Sequence, residues 1–355
     1  MYSREQVEKA KLALCSLIGK SRVHLYKPIQ IAEILYHDRV YHDVDLLDLE
    51  TYRTRSKKWR DEISLQLLGR ICTSSARFQD DLFNENAIPP HILDVLGEEN
   101  RRTNGAVEAF IYALFDNKHL QLALAIATLT NSTKDNFKLQ DFINSFWDEP
   151  GLKRSLDKVY EVIVFSLFSV LVEALDLRVS ISVSNDKLEL LSEFNDFTKN
   201  VANLDFSNRI YTQDARVYRV GVTNAADRGL DMYSNWGPAI QIKHLSLDEQ
   251  LAESIVNSVS SDRIVIVCKN AEKKVILSLL NQIGWKSKIQ SIITEDDLIS
   301  WYEKALRGEH SDILGDKLLN RLQEQIEEEF PSVDNRESTI NQRGYDKIKD
   351  DFWKQ

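Results

Sequence analysis

Cysteine is scarce in this chain. Three occur in 355 residues, Cys15, Cys72 and Cys268, far apart and odd in number. That pattern argues against a disulfide framework and against a zinc site built from thiolates, and leaves buried free thiols of a cytoplasmic protein as the reading. With 12 glycines and 6 prolines, the composition is that of an ordinary globular protein. No apolar run reaches the roughly 20 residues that span a bilayer. The longest candidate, Val159 to Leu177, is interrupted by Glu161 and Glu173 and reads as a buried helix. The opening MYSREQVEKAK mixes charges of both signs without an apolar segment, so no signal peptide is expected. Positive charge is also in deficit: 45 Lys and Arg face 55 Asp and Glu, a formal net charge of −10. This counts against a nucleic-acid binder, because phosphate neutralisation usually supplies much of the affinity.

The charge is uneven, however. Between Thr51 and Arg77 seven bases (Arg53, Arg55, Lys57, Lys58, Arg60, Arg70, Arg77) face two acids, whereas between Glu309 and Phe330 seven acids face two bases. Either run can be simply a solvated helix surface, but a basic face is not excluded. Hydrophobic residues make up 43% of the chain, enough for a sizeable core, and the length suggests two domains with a further segment.

Residues 1–150 read as helical. Apolar residues recur at helical spacing from Glu5 to Ile18, Pro28 suits the first turn of a helix running to Tyr36, and Asp61–Ile71 and Ala106–Phe115 are amphipathic. Thr103 and Asn104 are suited to cap the last of these, and Pro89–Pro90 marks a break. Charge beside Pro150–Gly151 suggests a boundary. After it come an apolar helix (Leu156–Leu175), an alternating strand (Arg178–Ser184) and a helix (Lys187–Asn203). Strand candidates follow at Val217–Val222, Ala239–His244, Arg263–Cys268 and Lys288–Ile293, with helices at Leu247–Val259 and Ala271–Ile283. Strands alternating with helices imply an α/β class. The expected fold is a mixed sheet flanked by helices in 151–310, preceded by an all-helical domain in 1–150 and followed by a helical tail in 311–355.

The stretch Val220–Asp231 (VGVTNAADRGLD), followed by Met232–Pro238 and by Ala239–His244, carries the chemistry. It reads as strand, turn, short strand, turn, strand, with Asn235 and Gly237–Pro238 in the second turn. Asp231 then lies on one strand of a hairpin and Gln241 and Lys243 on the next. Period-two spacing puts Gln241 and Lys243 on one face while Ile240 and Ile242 point into the core. Phosphodiester hydrolysis needs a hard cation at the scissile phosphate, a water in line and a group that activates that water. An aspartate with a further oxygen ligand suits Mg²⁺, and a lysine two residues beyond can hold the water or the developing charge. Glu161, a charge inside an apolar helix, is costly to bury without a partner and is a third candidate ligand. A surface ion pair between Asp231 and Lys243 would look the same in sequence. His244 can be a general base or a phosphate contact, and Asp227 an alternative ligand, though each has an ordinary structural explanation as well.

This arrangement resembles the PD-(D/E)xK nuclease superfamily, with Asp231 as the aspartate, Gln241 in the Asp/Glu position, Lys243 as the lysine and Glu161 as the glutamate of the preceding helix. It departs from the common pattern in the neutral Gln241 and in Leu230 where proline is usual. At the scale of the chain, Lys20–Leu35 (KSRVHLYKPIQIAEIL), Leu68–Gln79 (LGRICTSSARFQ), Glu99–Gly105 (ENRRTNG), Val220–Asp231 and Ile240–Glu249 (IQIKHLSLDE) together resemble the HaeII-type restriction endonucleases, over about residues 5–310. The resemblance implies a type II enzyme that cuts double-stranded DNA at a short palindrome of the form RGCGCY. It further implies Mg²⁺, a homodimer, a cognate DNA methyltransferase protecting host sites, and products with 5′-phosphate and 3′-hydroxyl ends. With that implication, Arg53, Arg55, Lys57, Lys58, Arg70, Arg77, Arg101, Arg102, Asn104 and Arg228 become candidate DNA contacts, since arginine and lysine can read guanine and asparagine can meet bases or phosphates. Two alternatives stand beside this reading: a structure-specific or repair nuclease on the same core, and a sequence-specific DNA-binding protein that has lost catalysis, for which the neutral Gln241 is the motive.

Overall fold

The computed structural model describes residues 2–71, 76–220, 230–247, 249–259, 261–271, 288–331, 341–348 and 350–354. Up to residue 174 the described chain is helical. Helices α1 (Arg4–Lys20), α2 (Tyr26–Tyr41), α3 (Arg55–Leu68), α4 (Ala76–Phe83), α5 (Pro90–Arg102) and α6 (Ala106–Thr130) are followed by α7 (Leu139–Trp147) and α8 (Leu156–Ala174). Their starts follow local chemistry. Ser3 and Gln6 form a reciprocal cap on α1, and Pro90 occupies the first turn of α5. Gly105, at φ 104°, leads into α6, and Thr103 Oγ1 accepts from Ala106 N. α6 runs well beyond Phe115 because its apolar residues continue through Leu122, Ala125 and Leu129.

The second half holds a five-stranded sheet in the order β3 (Val217–Arg219), β4 (Met232–Ser234), β5 (Ala239–Leu247), β6 (Ile264–Ala271), β7 (Ile289–Thr294). β3, β4 and β5 are antiparallel; β5, β6 and β7 are parallel. Helix α11 (Glu249–Ser258) links β5 to β6, and α12 (Glu295–Arg307) and α13 (Ser311–Glu329) follow β7. The sheet is therefore mixed and helix-flanked, as expected. Arg178–Ser182 (β1) differs from expectation: it does not join this sheet but pairs with β2 (Ile210–Asp214) in a separate two-stranded ribbon. Its alternation is real, yet Ile181 on that face remains 44% exposed. The single helix expected at 187–203 is two short ones, α9 (Leu188–Glu193) and α10 (Asn195–Ala202), in which only Leu191 is buried and little packing holds a longer helix together. Of the helix expected at 271–283, Ala271 instead ends β6 and the rest lies outside the described residues, as does Cys72.

Two large cores organise the chain. One joins α1, α2, α3, α5 and α6 and takes in Tyr345 and Trp353 from the far end of the sequence. The other packs α7, α8, α12, α13 and the later part of α6 against one sheet face through Val217, Met232, Ile240, Ile242, Val265 and Val267. A smaller cluster closes the opposite face with Ala252, Ile255 and Val259 against Ala239, Ile264 and Ile266. Among the described residues no helix is long and apolar enough to cross a membrane.

Candidate active site

Asp231 immediately precedes β4. Its carbonyl accepts from Val220 N at 2.9 Å, extending the β3–β4 pairing by one residue. Across the next strand pair, Met232 stands opposite Ile240, a register that carries Asp231 to the level of Gln241, next to Ile242. The backbone N–H of Ile242 donates to Asp231 Oδ2 at 2.8 Å. Lys243 then brings Nζ to 3.7 Å from the same oxygen. Carboxylate and amine share one locus because the short second turn, with Gly237 at φ 119°, folds β4 directly onto β5.

Ile240 and Ile242 point into the α8-facing core, as the alternation requires. Gln241 points the other way, but that face is not open. It is 1% exposed, and its Nε2 has no hydrogen-bond partner. An amide N–H buried without a partner is costly, so this donor calls for an acceptor oxygen close by.

Glu161 enters from α8. It is 6% exposed, and both its oxygens accept from Lys158 Nζ, at 2.8 and 2.7 Å. Burial pushes its carboxyl up to about 7 despite the lysine, with the negative charges of Asp231 and Asp157 adding to the rise. Burial likewise raises Asp231, opposed by Lys243, the Ile242 N–H and Lys158. Each carboxylate therefore sits in a poorly solvated place within the field of other acids. That is the environment in which a divalent cation replaces protons or ammonium groups. The two carboxylates are hard oxygen donors and fit Mg²⁺ rather than a soft metal.

Further residues complete the surroundings: Lys158, Arg219 and Glu329 are not singled out by the sequence, whereas Arg70 is an expected DNA contact and His244 an expected base or phosphate contact. Lys158 stands three residues before Glu161, a spacing that places both on one helix face and was visible in the sequence. Arg219 and Glu329 form a buried ion pair at 3.0 Å, 7% and 5% exposed, and Arg70 donates to the carbonyls of Glu328 and Glu329 at the end of α13. No local signal in the sequence connects these distant positions. His244, half-buried, is held below the ordinary histidine value by burial and by the charges of Lys243, Lys269 and Arg154, with Asp157 opposing.

Several residues expected to meet DNA already carry partners within the chain. Arg53 pairs with Asp80, Arg55 with Asp43, Lys58 with Glu62, Arg101 with Asp38 and Arg102 with Glu99. Asn104 Oδ1 accepts from Arg39 at 3.5 Å. Lys57 also has a partner within the protein. Arg228, Asp227 and the Arg77 side chain lie outside the described residues.

Residues 10–345 match the family described as HaeII restriction endonuclease. The chain belongs to this family of site-specific nucleases. It is similar to the type II restriction enzyme HaeII of Haemophilus aegyptius, with 58% identity over 328 residues, 92% of this chain and 93% of that protein. It is also similar to the type II restriction enzyme NgoBI of Neisseria gonorrhoeae, with 55% identity over 342 residues, 96% of this chain and 97% of that protein. No solved structure matches the chain.

Proposed function

We propose that this chain is a type II restriction endonuclease that hydrolyses double-stranded DNA at a short palindrome, RGCGCY by resemblance. The observation that carries the reading is the approach of Lys243 Nζ to within 3.7 Å of Asp231 Oδ2, on strands that also bring in Gln241, with Glu161 facing them from α8. Asp231, Glu161 and the carboxamide oxygen of Gln241 would hold Mg²⁺. When bound, that ion neutralises charge on the scissile phosphate and lowers the pKa of coordinated water. Lys243, 33% exposed at its side chain, donates hydrogen bonds to the attacking water and to the non-bridging phosphate oxygens. Water oxygen attacks phosphorus, the P–O3′ bond breaks, and the departing oxygen takes a proton, leaving 5′-phosphate and 3′-hydroxyl ends. The Ile242 N–H fixes the Asp231 carboxylate so that no rotamer search precedes attack.

In this reading residues 1–150 provide DNA recognition and dimer contacts, 151–310 the nuclease core and 311–355 a helical tail. A palindromic target calls for a homodimer, since a two-fold site is matched by a two-fold protein. A cognate methyltransferase protects host DNA in the cytoplasm. Digestion of a sequenced plasmid with and without Mg²⁺, followed by end mapping, tests the proposal. Discrete Mg²⁺-dependent bands are expected. Asp231→Ala and Lys243→Ala should each lower cleavage at least about a hundredfold while leaving binding of the same duplex measurable in Ca²⁺. Cleavage confined to junctions or lesions would favour a repair nuclease, and normal cutting by either variant would overturn the site.

A further inference from the structure

Phosphate binding requires positive charge that is not already neutralised. Around α3 and α5 several of the arginines and lysines are spent on carboxylates of their own domain. Beside the candidate active site the situation is reversed. Trp147, half-buried at the end of α7, lies between two ammonium groups: Lys153 Nζ is 4.0 Å from its ring centroid and Lys269 Nζ 3.8 Å. Lys153 and Arg154 occupy the single 3-10 turn that leads into α8, the helix that carries Glu161. Lys269 follows Cys268 on β6, and Cys268 is paired in register with Lys243 on β5. Arg154 and Lys269 both bear on His244, the neighbour of Lys243. Lys153 and Arg154 are exposed and Lys269 is half-buried. None of the three forms an ion pair among the described residues.

We infer that Lys153 and Lys269, held in place by the Trp147 ring, together with Arg154 form the surface that grips the DNA backbone next to the scissile phosphate. Stacking on an indole fixes an ammonium without cancelling its charge. Two lysines are thereby kept in position at little entropic cost and stay available to an anion. An anionic backbone entering the carboxylate-lined site needs such a flank, because Asp231, Glu161 and Asp157 otherwise repel it. The partner is committed by charge: a polyanion with regularly spaced phosphates, in contact through non-bridging oxygens and therefore indifferent to base sequence. The inference rests on the proposed nuclease reading and specifies which side of the site the strand crosses.

Fluorescence anisotropy in Ca²⁺, at a series of NaCl concentrations, measures binding to a cognate duplex and to one with a scrambled site. Lys153→Ala, Arg154→Ala and Lys269→Ala are compared singly and together, with Arg4→Ala at the exposed start of α1 as the control. Each lost phosphate contact should reduce the slope of log K against log salt by about 0.9, so the triple variant should lose roughly 2 to 3. Cognate and scrambled affinities should fall by the same factor, and Arg4→Ala should change neither. Trp147→Phe, which keeps a ring, should retain most of the slope, whereas Trp147→Leu should lose part of it. A triple variant that melts normally and keeps the wild-type slope overturns the inference, as does a loss confined to the cognate duplex. If the wild-type protein cuts a plasmid into discrete bands while the slope stays unchanged, only the inference fails. If the wild-type protein neither binds nor cuts DNA, the nuclease reading itself fails and takes the inference with it.

Discussion

Replacing Glu161 by glutamine should make the metal-free protein more stable while removing its activity. In the folded chain burial holds the Glu161 carboxyl up at about 7, against an ordinary 4.5. One pKa unit corresponds to about 1.4 kcal/mol, so ionising this group in the folded state costs roughly 3 kcal/mol more than in the unfolded state. Its side chain is 7% exposed, so solvent screening discounts little of that. The folded value lies above the unfolded one. The stability associated with the neutral carboxyl is therefore intact below about pH 4.5 and is lost progressively as pH rises through 7. Glutamine mimics the neutral form at every pH and keeps one carbonyl oxygen to accept from Lys158 Nζ. The difference between variant and wild type should be near zero at pH 4.5, open by about 1.4 kcal/mol per unit, and level off at roughly 3 kcal/mol by pH 8. With an unfolding entropy of about 2.1 cal/mol/K per residue, a 355-residue chain unfolding as one unit would melt roughly 4 °C higher. Urea titrations in EDTA at pH 5, 6, 7 and 8 read this directly. Parallel stability curves without a pH-dependent gap, or a glutamine variant less stable at pH 8, would refute the reasoning that the site stores unfavourable charge for a cation.

Gln241→Glu would add a carboxylate to Asp231 and Glu161 of the proposed site, at a side chain that is 1% exposed. In EDTA it should cost at least about 2 kcal/mol of stability, whereas divalent-ion affinity by calorimetry should rise about tenfold; unchanged affinity would remove Gln241 from the site. At the other end of the chain, Arg343 donates to both oxygens of Glu33, at 2.7 and 2.9 Å. Arg343→Ala leaves a buried carboxylate without its counter-charge, with the Tyr112 hydroxyl still donating to it, so a loss of about 3–5 kcal/mol is expected in urea titrations, and a loss below about 1 kcal/mol would mean the tail is not anchored there.

Much of this protein was determined by local sequence. The strict alternation of Ile240 and Ile242 with Gln241 and Lys243 fixed which faces they occupy, since a strand has period two. The apolar run of α8, with Glu161 set among apolar neighbours, announced both a buried helix and a charge in need of a partner, and Lys158 supplies one from the preceding turn. Proline, glycine and capping residues marked many of the breaks among the helices. What sequence could not decide was long-range. Whether the alternating β1 joins the main sheet depends on which surface has room for it, and β2 takes it instead. Whether the face bearing Gln241 is open depends on α11 and its cluster covering it. The run of bases in and just before α3 looked available to DNA because charge counting is local, yet Arg53 pairs with Asp80 and Arg55 with Asp43, residues brought near only by folding. Lys153 and Lys269, which lie 116 positions apart, stand on one tryptophan for the same reason. Periodicity and turn chemistry act within a few residues and are written in the chain; pairing of charges and covering of faces arise from packing and exist only once the chain has folded.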